Sequence, residues 1–129
     1  ERALMTSKAV WKIALTHQSL YSSGKKHGSN EKLRAQLEPL FVRYGVKVAF
    51  SGHDHIYERT KPQKDIQYFV TGAGGKIRRG NVDLKSTIRA ASYDQDNSFM
   101  VIEIDDSEMS FKAISENGQS VDQGIIKQE

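Results

Sequence analysis

The chain has no cysteine, two prolines and one tryptophan among 129 residues. Without cysteine there are no disulfides, thiolate metal sites or cysteine nucleophiles. Any metal must sit among histidine, carboxylate or amide ligands, a set that suits Zn, Mn, Fe or Ni. No apolar run approaches the roughly 18 residues that span a bilayer. No secretory leader is visible either, so no membrane partner is expected. Charge of one sign is scarce too. The formal net charge is +3, and a dedicated nucleic-acid binder would concentrate far more basic residues on one face. The chain opens on "ERALMTSK" with no starting methionine, which reads as the middle of a longer polypeptide.

What is present fits one domain. A chain of this length can bury roughly two thirds of its unfolded surface. Residues 9–16, "AVWKIALT", read as a strand buried on both faces. A polar Gly/Ser-rich loop follows. Leu33, Leu37, Leu40, Phe41 and Tyr44 then make one apolar helical stripe, with Asn30 as N-cap and Gly45 as stop. Pro39 lies inside it and is expected to kink the helix. Residues 46–51 and 66–71 read as strands, and 73–97 as a long irregular loop. Residues 98–104 and 108–114 read as a hairpin, and 121–126 as a last strand. Strand–helix–strand followed by strands predicts an α/β layered fold. Such sheets place sites beyond the carboxyl ends of their strands.

The chemistry rests on four histidines. "VAFSGHDHIYERT" carries His53 and His55 after a Ser-Gly pair. In an extended stretch, residues two apart point the same way, so both rings would face one pocket. Neutral imidazole is a common metal ligand, though an H-x-H after a strand is also an ordinary surface turn. His17 ends the preceding strand and could add a third nitrogen, or be a satisfied strand-end histidine. His27 lies in the polar loop, either simply solvated or placed to contact phosphate and move a proton.

These blocks resemble a known family. "GHDHIYERT" resembles the G-H-x-H block of calcineurin-like metallophosphoesterases, and its "YER" is typical of the purple acid phosphatase branch. "WKIALTHQSLYSSG" resembles the preceding block, where a strand delivers one ligand histidine. "YFVTGAGG" resembles the next strand and turn. The resemblance runs over residues 11–75 and weakly through the C-terminal hairpin. It implies the C-terminal half of that family's layered β-sandwich with flanking helices, incomplete over residues 1–129. It implies hydrolysis of a phosphate ester at a dinuclear centre of divalent or trivalent ions (Fe, Zn or Mn), a hydroxide between them attacking phosphorus. His17 and His53 would bind one ion and His55 the other. His27 would contact the substrate phosphate and protonate the leaving group. A periplasmic or secreted location would follow.

The sequence also departs from the family. Ser19 stands where a proline is usual, which leaves the loop less rigid. The D-x-H, G-D-x-x and G-N-H blocks of the other half are absent before residue 17. "GNVD" at 80–83 has Val82 where the last of these needs histidine, and reads as a coincidental turn. Two cations held close repel unless carboxylates offset them. The chain alone is therefore expected to bind at most one metal, weakly, through His17, His53 and His55, and to be inactive. The missing half of the domain, or self-association through exposed sheet, would be its partner.

The remaining candidates are weaker. "GAGGK" fails the P-loop spacing and reads as a glycine turn. Arg78 and Arg79 could reach a substrate phosphate, although loop arginines are usually just solvated. Asp54 should point away from the two rings. Tyr57, Glu58 and Arg59 read as structural rather than catalytic, with Glu58 and Arg59 pairing with neighbours to fix the turn. The competing class is a non-catalytic metal-binding or interaction module with one histidine-held ion.

Overall fold

In the computed structural model, which describes residues 1–128, the chain forms three layers. Helix α1 (Arg2–Thr6) precedes β1 (Ile13–Thr16), α2 (Glu31–Tyr44), β2 (Val48–Ser51), β3 (Tyr57–Thr60) and β4 (Gln67–Thr71). Strands β5 (Arg89–Tyr93), β6 (Ser98–Ile104), β7 (Glu108–Ser115) and β8 (Ser120–Lys127) follow. One sheet runs β1-β2-β4-β3-β5 and the other β6-β7-β8. Strands β1, β2 and β4 are parallel, while β3 pairs antiparallel with both β4 and β5.

Parallel neighbours need a crossover, and α2 supplies it between β1 and β2. Its ends follow the expected chemistry. The Asn30 side chain accepts from the Leu33 N–H, and Gly45 closes the helix in the left-handed conformation. Leu33, Leu37 and Phe41 pack on Leu20, Val46, Ala49 and Tyr68, which cover one sheet face. On the other face Val48, Phe50, Tyr57 and Phe69 meet Met109, Phe111 and Ala113 of the second sheet. The Phe69 ring lies 5.2 Å from that of Phe50 and 5.0 Å from that of Phe111. This is the helix–sheet–sheet layering expected of part of a metallophosphoesterase sandwich.

Three expectations need correction. Residues 73–97 are not wholly irregular, because β5 forms there and adds an edge to the first sheet. Strand β3 went unread because its polar "YERT" carries no apolar run, yet three of its four residues are buried. Strand β1 is not buried on both faces: Ile13 is 37% exposed and Leu15 79%. Register explains this. Ile13 pairs with Val48 and Leu15 with Phe50, so both sit on the face toward the second sheet. Strand β6 ends that sheet, and an apolar groove of about 460 Å³ opens between Ile13, Leu15, Phe50, Phe99, Met100 and Ile102.

Candidate active site

The site is built where β1 and β2 end. Thr16 pairs with Ser51, so the two parallel strands stop at one level and release their next residues to one edge. The Gly52 N–H donates to the His17 carbonyl at 3.0 Å and ties the two exits together. His17 Nε2 then lies 3.0 Å from His53 Nδ1. The His27 ring reaches the same place from the loop, its centroid 4.1 Å from that of His53. A cleft of about 530 Å³ opens here, bounded by His27, His53, Lys26, Gln18 and the start of α2.

His53 and His55 do not present themselves as an extended stretch would. His53 has φ of 65°, in the left-handed region. The Asp54 N–H donates back to the Gly52 carbonyl at 2.8 Å, and the Ile56 N–H to the Asp54 carbonyl at 2.9 Å. Two tight three-residue turns, rather than strand alternation, therefore aim the two rings. A left-handed non-glycine residue costs free energy, and such strain concentrates at functional sites. The turn is packed closely: a Cβ on Gly72 would come 2.0 Å from the Asp54 carbonyl oxygen.

His55 Nδ1 is buried and has no hydrogen-bond partner among the described residues. Partial burial, together with the charges of Arg78 and Lys76, holds its pKa below the usual histidine value. His27 is lowered as well, by desolvation first and then by the positive field of His53, Lys26 and Arg78. Arg78 is brought to the site, because its N–H donates to the His55 carbonyl at 3.1 Å. Arg79 is drawn away by hydrogen bonds to the Gln95 carbonyl and Asp96.

Asp54 does point away from the rings, as expected. It is 1% exposed and accepts from Ser22 Oγ at 2.7 Å and the Gly28 N–H at 3.1 Å. Glu58 accepts from the Ser23 N–H and Oγ, both at 2.7 Å. Tyr57 and Arg59 both bind Asp122 on β8. The "GNVD" turn packs against the loop that carries His27. Gly24 and Val82 form a bridge, and Asn81 Oδ1 accepts from the Lys26 N–H at 3.0 Å. Sequence reasoning passed over Asn81, Ser22 and Ser23. The available signal was the polar run at 22–26, whose backbone donors need buried acceptors.

Two nitrogens sharing one ion through bonds of roughly 2.0–2.1 Å stand about 3.0–3.4 Å apart. The His17–His53 spacing falls in that interval. His55 Nδ1, which has no hydrogen-bond partner among the described residues, keeps its lone pair available for a metal. Among the described residues, however, no three His, Asp or Glu side chains converge on one metal position. The expected single ion held by His17, His53 and His55 together therefore has no preformed site.

Comparison with known proteins fits this picture. The sequence profile of the calcineurin-like phosphoesterase family matches residues 3–57. Over that stretch the chain is similar to calcineurin-like phosphoesterases, and its relatives include purple acid phosphatases. It is 36% identical to purple acid phosphatase 17 of Arabidopsis thaliana over 64% of its own length and 25% of the relative's. The fold matches a purple acid phosphatase from yellow lupin (Lupinus luteus) with a TM-score of 0.85 at 24% identity, covering 98% of this chain and 27% of that one. It matches a Plasmodium protein described as the anchor in the inner membrane complex equally well, again 0.85 at 24% identity, covering 98% of this chain and 39% of that one. The chain thus spans about a quarter of the purple acid phosphatase 17 sequence. Among the described residues no helix is long and apolar enough to cross a membrane.

Proposed function

We propose that these residues are the histidine-rich side of a dinuclear phosphoesterase site, and that the parent domain hydrolyses phosphate esters. The observation that carries this is the facing pair His17 Nε2 and His53 Nδ1 at 3.0 Å, with the His27 ring alongside. His17 and His53 would hold one ion and His55 Nδ1 the other, Fe, Zn or Mn being compatible with imidazole. When bound, such ions supply Lewis acidity toward phosphoryl oxygens and lower the pKa of water. The bridging carboxylate and remaining ligands would come from the other part of the parent domain.

The chain's own groups do the rest. Lys26 lines the cleft, and Arg78 is hydrogen-bonded through its backbone to His55, so both would offset the charge of an incoming phosphate. In the chain alone the His27 pKa lies below the usual histidine value, through desolvation first. An anionic phosphate beside it favours its protonated form. The imidazolium can then donate to the ester oxygen as the leaving group departs.

A second reading, a non-catalytic module of the same fold, draws on the lack of a converged three-residue metal site among the described residues. Hydrolysis of aryl phosphate and bis-aryl phosphate by the parent protein decides between them. The phosphoesterase reading predicts turnover that falls at least ~100-fold in His27→Ala. Absence of turnover with metal supplied selects the module.

A further inference from the structure

His27 is the one site histidine that no strand delivers. It sits on the loop 17–30, which is rich in glycine and serine and would be expected to wander. Yet its ring is packed against His53. The loop is held from beneath by three buried acceptors that lie on other segments. Glu58 of β3, fully buried, takes both the N–H and the hydroxyl of Ser23. Asp54 takes the Ser22 hydroxyl and the Gly28 N–H, one before and one after His27. Asn81, 5% exposed, accepts from the Lys25 N–H through its carbonyl at 2.7 Å and from the Lys26 N–H through its side chain. Gly24 makes this closeness possible, since a Cβ there would lie 2.4 Å from the Asp54 carboxyl carbon.

A buried carboxylate costs free energy unless its oxygens are satisfied. Both Glu58 oxygens are satisfied by Ser23 alone. No basic side chain forms an ion pair with Glu58 among the described residues. Its burial thus makes sense as an anchor for this loop rather than as half of an ion pair. We infer that Glu58 and Asn81 are positioning residues: they clamp the loop so that His27 meets the His17–His53 pair, and neither touches the reacting atoms. Its relevance to catalysis rests on the phosphoesterase reading; the clamp itself does not.

The test is histidine-ring NMR on this chain, reading the His27–His53 and His17–His53 contacts separately, with amide exchange reporting the strands. In Asn81→Ala and Glu58→Ala the His27–His53 contact should be lost. The His17–His53 contact and the β2–β4 protection should stay. Glu58→Gln keeps an acceptor oxygen for Ser23 and should restore much of the His27 contact. Persistence of the His27–His53 contact in Asn81→Ala and Glu58→Ala overturns the clamp. Loss of both ring contacts together in all three variants also overturns it, because these residues would then support the fold as a whole. Full activity of a His27→Ala parent enzyme would dismiss the catalytic reading and leave the clamp standing.

Discussion

At the residue scale, single buried polar groups decide where the chain holds firm. Glu38 shows how opposing effects are resolved. Burial pushes its carboxyl up, but hydrogen bonds from Lys64, Tyr21 and Tyr68 outweigh this and leave it below the usual glutamate value. A carboxyl depressed in the folded state binds fewer protons there than in the unfolded chain. Its stabilisation is full above the unfolded pKa and is lost as pH falls through the folded one. Thermal unfolding against pH should therefore show an acid limb that is shallower in Glu38→Gln; parallel curves would rule this out. The Lys64 ammonium is largely exposed, so screening keeps its share small. His53 and His55 were legible as candidates from their motif. The left-handed φ of His53 was not, because the turn is imposed by Gly52, Asp54 and Gly72 packing together.

At the element scale, the periodic pieces were readable and the polar ones were not. Helix α2 declares itself by its stripe and caps, and the β6–β7 hairpin by alternation. Strand β3 is hidden because its buried residues are Glu58 and Thr60 as well as Tyr57, held by partners distant in sequence. Its connection to β4 has a distinct demand. Gln63 and Ile66 exchange two hydrogen bonds of 3.0 Å around Lys64 and Asp65, whose φ values are 50° and 62°. Both central residues of such a hairpin turn are left-handed. A β-branched residue resists that conformation, at a cost of roughly 1–2 kcal/mol. Asp65→Val should lower stability by about that amount and Asp65→Gly should not. Chemical denaturation of the two variants checks this, and equal stability would refute it.

At the scale of the whole molecule, the two sheets end side by side with their outer strands open. Strands β1 and β6 leave backbone groups unpaired beside the apolar groove of Leu15 and Phe99. Such edges invite another strand. This chain should self-associate with rising concentration in sedimentation, and less so in Leu15→Lys. A monomer at all concentrations would contradict that. The same open side is where the proposed second part of the domain would dock, bringing carboxylates to the histidines. The sequence did not reveal that β1 and β6 would form the edges beside this groove, because edge position depends on strand order rather than on local pattern. The proposed site stands on His17 and His53 sharing one metal ion. Elemental analysis of the parent protein, wild type and His53→Ala, decides this. The prediction is two ions per domain in the first and loss of one in the second. Two ions retained in His53→Ala would contradict it.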